Sequence, residues 1–215
     1  MSQLLIVEGN DAVPLAALCE KSGLKAPKGY PKTKFVKEFV KSAGGYDNAL
    51  KALADALTQH NLTNIGIIVD ANDLGPPARW QSIRNILSVH FSESSLKVAD
   101  QQVGSKIISQ VGMPKVGVWI MPDNVGLGYL EHFLSSLIPT GDVLLSHAQS
   151  VVHNLPQKRF SVVKTQKVLL HTWLAWQPDP GYPFGTAINI GYFDIQAPDV
   201  PPFLDWFSKT FELSN

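Results

Sequence analysis

Cysteine, net charge and long apolar runs are what this sequence has least of. Its single cysteine, Cys19, excludes an internal disulfide framework. Lys plus Arg and Asp plus Glu each number 18, so the formal net charge is zero. Bulk attraction to nucleic acid or an anionic membrane surface is therefore excluded, as is the acidic excess of a solvating tail. Any charge-dependent function has to come from local arrangement. No apolar stretch approaches the ~18–20 residues of a membrane-spanning helix, because the longest, Val116–Met121 and Val168–Trp176, are short or interrupted. Residues 1–13 carry no basic region ahead of their short apolar run, so the expected address is cytoplasmic, with no membrane partner. What is present is core material: 45% of residues are hydrophobic and only 17% charged, a globular rather than a disordered composition.

Periodicity divides the chain near residue 138. Leu4–Val7 is a continuous branched apolar run, which suits a strand buried on both faces, and Asn10-Asp11 then offers an N-cap to a helix over Ala12–Glu20. A Lys-rich connection leads to a second candidate strand at Phe35–Lys41, and Gly44-Gly45 turns the chain into a helical pattern of Leu50, Leu53, Ala54 and Leu57. Ile65–Val69 is the clearest buried strand, and Pro76-Pro77 opens the helix that follows it. After a less regular stretch with a small hairpin around Lys106–Gln110 come a strand at Val116–Met121 and a helix over Leu127–Ile138. Four strand-to-helix units predict a Rossmann-like α/β core over residues 1–138, with a mostly parallel sheet flanked by helices. Residues 139–215 read as a helical addition packed on that core, with helical patterns at Gly141–Asn154 and Arg159–Trp176. A Pro/Gly-rich connection, Pro178–Gly185, precedes an amphipathic segment carrying Phe203, Leu204, Trp206, Phe207 and Phe211.

The chemistry is positional. Glu8 ends the first strand, Asp70 ends the third and Asp123 lies just past the last, so all three fall at the strand ends that face the ligand crevice of an open parallel sheet. Carboxylates brought together there need a cation, a shared proton or a wet site, and a hard divalent cation is the economical answer. Helix capping is the competing account for Asn10, Asp11, Asp73, Asp123 and Asn124. It suits Glu8 poorly, because Glu is a weak cap and costly to bury unpaired.

Two resemblances follow from these residues. Val7-Glu8-Gly9-Asn10-Asp11-Ala12 and Asp70-Ala71-Asn72-Asp73-Leu74-Gly75 resemble the two motifs of the Toprim domain, a strand followed by Glu-Gly and then an Asp-x-Asp. Val116–Asn124, Gly128-Tyr129-Leu130-Glu131 and His171–Gln177 are similar to a family of uncharacterised bacterial proteins. That family is a domain of unknown function grouped with the OLD-like Toprim proteins, and the resemblance covers nearly the whole chain. It implies Mg²⁺- or Mn²⁺-dependent phosphodiester chemistry on DNA or RNA. Glu8, Asp70 and Asp73 would be the catalytic acids, and the same three with Asn72 the metal ligands. Asn72 stands where Toprim has its second Asp, so it offers a carbonyl oxygen without charge unless Asp73 substitutes. Glu131 is a further candidate acid. Lys164, Lys167 and His171 are candidate basic groups after the core, since OLD-like nucleases use a basic residue there.

Two other functional classes stay open on the residues. These are a non-catalytic Toprim-like module that binds nucleic acid or protein and a small-molecule phosphate enzyme on the same sheet, and the residues also leave open whether the chain self-associates, as a homodimer, through the aromatic C-terminus. Lys21, Lys25, Lys28, Lys32, Lys34, Lys37 and Lys41, with Tyr30 and Phe35 interleaved, offer a stretch able to follow a phosphate backbone or to form a solvated loop. Zinc-ligand spacing, a Gly-x-Ser-x-Gly elbow and a phosphate-binding loop are all absent from the sequence.

Overall fold

The computed structural model describes residues 2–9, 11–24 and 39–213. In chain order the elements are β1 (Ser2–Val7), α1 (Ala12–Lys21), β2 (Val40–Ser42), α2 (Tyr46–Leu57), β3 (Leu62–Asp70), α3 (Gly75–Leu87) and α4 (Glu93–Asp100). They continue with β4 (Lys106–Ile108), β5 (Lys115–Met121), α5 (Leu130–Ser136), α6 (Val143–His153), α7 (Thr165–Leu174), α8 (Phe184–Ile190) and α9 (Val200–Phe211). The sheet order is β2-β1-β3-β5-β4, parallel throughout except for β4, which pairs antiparallel with β5 at one edge. The expected Rossmann-like α/β architecture is what the chain adopts. Among the described residues, no helix is long and apolar enough to cross a membrane.

Alternation along each strand sorts side chains to two faces, as a period of two requires. Leu5, Val7, Ile68, Trp119 and Met121 point to one face, where α1 and α5–α9 pack. Ile6, Ile65, Ile67, Val69, Val116, Val118 and Ile120 point to the other, under α2, α3 and α4. Both faces are covered, which explains why the central strands read as unbroken apolar runs rather than as alternating ones.

Elements differ from the sequence expectation where burial is sparse. The stretch after Leu87 contains α4, whose buried face is only Leu96 and Ala99 and whose start is capped by Ser92 Oγ accepting from Ser95 N at 3.3 Å. The connection Pro178–Gly185 ends inside α8, with Pro183 at its N-cap position. The helix expected over Arg159–Trp176 starts only at Thr165, after a single 3₁₀ turn at Val162–Lys164. Of the second candidate strand, Val40–Lys41 is in β2; Lys25, Lys28, Lys32, Lys34 and Lys37, with Tyr30 and Phe35, lie outside the described residues.

The last helix closes the structure. Phe203, Trp206, Phe207 and Phe211 of α9 are almost wholly buried, and each contributes about 2–3 kcal/mol through the apolar surface it removes from water. Its approach to the sheet depends on two paired glycines, Gly66 of β3 and Gly117 of β5. A Cβ on Gly66 would stand 2.6 Å from Phe211 Cζ, and one on Gly117 only 2.0 Å from Thr210 Oγ1. The last carbonyls of the helix are satisfied from the sheet: Asn64 Nδ2 donates to Thr210 O at 2.8 Å and Gln3 Nε2 to Phe211 O at 3.2 Å.

Gly117→Ala is therefore expected to destabilise the fold by about 1–3 kcal/mol through overpacking. Adding Thr210→Ala should recover part of that loss, a non-additivity read from denaturant unfolding of both single variants and the double. Strict additivity would show that the two positions do not touch.

Candidate functional site

The winding of the sheet reverses between β1 and β3. The chain leaves β1 through α1 on one face, and enters β3 from α2 on the other. At such a switch point the connections part and leave a crevice beyond the carboxyl ends of the two strands. Glu8 and Asp70 flank it. Glu8 N still donates to Ile68 O at 3.0 Å, but the Glu8 carbonyl turns away to accept from Gly45 N at 2.8 Å. The next rung of the ladder is made by the side chain instead: Asp70 N donates to Glu8 Oε2 at 2.9 Å.

Around this join four carboxylates come from four segments: Glu8 after β1, Asp11 at the start of α1, Asp70 at the end of β3 and Glu131 in the first turn of α5. Asp70 is pushed up to about 8, first by burial and then by the negative charges of Asp11, Glu8 and Glu131, against a lowering hydrogen bond from the Leu130 backbone. Its Oδ1 is buried and has no hydrogen-bond partner among the described residues. Asp11 is pushed up to about 6 by burial and by Glu131 and Glu8, with Lys167 and a backbone hydrogen bond at Gly9 acting the other way. Glu131 is buried and paired with Lys167 Nζ of α7 at 2.8 Å.

A cleft of about 750 Å³ opens over this cluster. Asp11, Asp70, Asn72 and Glu131 line it together with Lys164, just before α7, and Lys167, within α7. Val13, Pro14, Leu130, Pro183 and Phe184 make the rest apolar. Glu8 does not itself line the cleft; it sits behind Asp70, held by the Asp70 amide.

The remaining sequence candidates fall elsewhere. Asp73 is exposed and lines a neighbouring cleft of about 490 Å³ with Leu127, His132 and Gln166. The two clefts share Asn72, Tyr129 and Val163, and they meet where Tyr129 Oη donates to Val163 O. Asn72 adopts a left-handed backbone with φ 49°, a conformation Asn tolerates, and its N–H donates to Gly128 O at 2.8 Å. Asp123 is exposed and staples its own turn, its Oδ1 accepting from Val125 N at 2.9 Å and Gly126 N at 2.7 Å. Asn124 does the same for the end of β5, accepting from Ile120 N at 2.7 Å. His171 stacks on Phe184, with ring centroids 4.8 Å apart and planes at 27°.

Asp11 is the residue that sequence reasoning undervalued. It occupies the N-cap position of α1 yet makes no side-chain capping bond, and its carboxylate turns toward Gly9 instead. The available signal was its spacing, three residues after Glu8 across a glycine. Among the described residues no three His, Cys, Asp or Glu side chains converge as a metal-binding group. What the cleft offers is the carboxylate pair Asp11 and Asp70 beside the amide of Asn72, with an orphaned oxygen on Asp70. That all-oxygen set fits a hard cation which keeps several of its waters.

The raised Asp70 has a signed consequence for metal-free protein. Between about pH 4, where an ordinary Asp ionises, and about pH 8, the folded chain holds a proton that the unfolded chain has released, so stability falls as pH rises through that window. Asp70→Asn removes this penalty. In thermal melts with chelator present, the variant is expected to gain little near about pH 4 and progressively more toward about pH 8. An equal shift at both ends would contradict the burial of the charge.

Neither the curated proteins nor the solved structures contain a match to this chain. The expected membership of a domain of unknown function does hold: the chain belongs to the family described as protein of unknown function (DUF3226), whose model matches residues 2–212.

Proposed function

We propose that this cleft carries out Mg²⁺- or Mn²⁺-dependent phosphodiester chemistry on nucleic acid, as in the Toprim and OLD-like nucleases that the Glu8 and Asp70 motifs resemble. The observation that carries this reading is the carboxylate pair Asp11 and Asp70 in a cleft at the switch point that Glu131 also lines, with Asp70 Oδ1 unpartnered among the described residues and Glu8 bonded to the Asp70 amide. Glu8, Asp11, Asp70 and Glu131 outnumber Lys164 and Lys167, and Lys167 is already paired with Glu131, so the site holds an acidic excess that a cation would offset.

In this reading Asp11 and Asp70 hold the cation, and Asn72 offers a carbonyl oxygen. A bound divalent ion would polarise a phosphoryl oxygen and lower the pKa of a water. Glu8 adds charge from behind and, through the Asp70 amide, fixes the strand end on which Asp70 sits. Lys167 is steadied by Glu131 and, with Lys164, faces the phosphate that enters the cleft. The apolar walls restrict water around the reacting group.

Mn²⁺-stimulated cleavage of single- and double-stranded DNA and RNA tests the reading. Asp11→Asn and Asp70→Asn should each reduce cleavage on the order of a hundredfold. Glu8→Gln keeps the acceptor for Asp70 N, so it should leave the fold intact while weakening Mn²⁺ binding by about tenfold or more. Absence of cation-stimulated cleavage on every substrate form refutes the enzyme. The second reading, a non-catalytic binding module, is favoured by Asn72 in place of an acid and by Asp73 facing the neighbouring cleft. Nucleic-acid binding without measurable Mn²⁺ binding would select it.

A further inference from the structure

The lining of the cleft is of two kinds. Beside the acids and Lys164 and Lys167 stand Val13, Pro14, Pro183 and Phe184, an apolar wall. This wall is built tightly, because a Cβ on Gly185 would lie 2.8 Å from Val13 Cγ1. Phe184 is only half-buried. His171 stacks on its ring, and Phe184 lines the cleft. Burial and then the neighbouring Lys167 lower the His171 pKa, against a raising effect of Glu131.

We infer that the cleft accepts one nucleoside monophosphate unit, free or at the end of a single strand, with its base on Phe184 and its phosphate at Lys164 and Lys167. The inference rests on the phosphodiester reading above and narrows its substrate. A volume of about 750 Å³ falls within the range of clefts that enclose small ligands, roughly 300–1,000 Å³. A base can reach an apolar wall inside such a cleft only when unpaired, whereas a duplex presents phosphates outward and keeps its bases stacked. Aromatic stacking tolerates any base, so the wall selects an unpaired nucleotide and not a sequence.

Equilibrium titration of the full chain, with Ca²⁺ in place of Mg²⁺, tests this with four probes. They are adenosine 5′-monophosphate, ribose 5-phosphate, a single-stranded oligodeoxynucleotide and the same oligonucleotide annealed to its complement. The nucleotide should bind about tenfold or more tightly than ribose 5-phosphate, and single strand should exceed duplex by a similar factor. Phe184→Leu, which keeps an apolar side chain but removes the aromatic face, should erase most of the first ratio and leave ribose 5-phosphate binding unchanged. Tighter binding of the free nucleotide than of the oligonucleotide assigns the cleft to free nucleotides, and the reverse assigns it to strand ends. Equal binding of nucleotide and sugar phosphate, equal binding of single strand and duplex, or no binding of nucleotide and single strand overturns the inference. Because these titrations involve no turnover, their failure beside retained Mn²⁺-stimulated cleavage sinks only the substrate assignment. A retained base preference without cleavage sinks only the nuclease.

Discussion

One hydrogen bond, from the Asp70 backbone amide to the Glu8 carboxylate, joins β1 and β3 where their connections part. A parallel ladder would have made this rung with a carbonyl. Here the Glu8 carbonyl is spent on Gly45 N at the start of α2, and the side chain takes its place. The substitution places a carboxylate at the switch point, behind Asp70, as a condition of finishing the sheet. Asp70 then sits on a fixed strand end, and Asp11 and Glu131 are added from the helices on either side. Structure and charge are thus supplied by the same residue, and the repulsion within the cluster is built into the strand pairing.

The apolar part of the cleft has a different origin. It comes from α8, whose Gly185 lies against Val13 of α1 and whose Phe184 rests on His171 of α7. A second tie, Lys21 Nζ donating to Asn189 O at 2.7 Å, fixes the other ends of α1 and α8. The acids are therefore carried by the sheet and the helices adjoining it, while the wall is carried by elements far along the chain. The cleft exists because α8 packs on the first helix while α7 packs on α5.

The sheet was legible because strands covered on both faces leave unbroken apolar runs: Leu4–Val7, Ile65–Val69 and Val116–Met121 all lie within strands. Pro76-Pro77 likewise marked the start of α3. Short helices with few buried residues left weaker marks; α4 buries two, and α8 follows a Pro/Gly-rich stretch whose composition suggests a loop. Within the site, placement of Glu8 and Asp70 at strand ends followed from the apolar runs they close, whereas the adjacency of those two strands comes from the sheet order. Which of Asp11, Asp73 and Asp123 turns inward did not follow from such runs, since each is an acid near the start of a helix or turn. The separation is made by backbone geometry that a linear sequence does not display: the left-handed Asn72 directs the loop so that Asp73 lines the neighbouring cleft, and the turn after β5 consumes Asp123 internally. His171 counted as a candidate cation by its spacing from Lys167, yet its ring lies flat against Phe184.

The seat of α9 on Gly66 and Gly117 bears on the order in which the chain can mature. Those strand positions carry no side chain, and the space over them is filled by Phe211 and Leu5 at Gly66 and by Thr210 at Gly117. During synthesis β1, β3 and β5 emerge well before that helix, and one face of the sheet then waits with Trp119 uncovered. Such a surface invites association with other chains or with chaperones until α9 arrives. A nascent chain halted before Val200 would thus differ from the finished one less in its secondary structure than in what it sticks to.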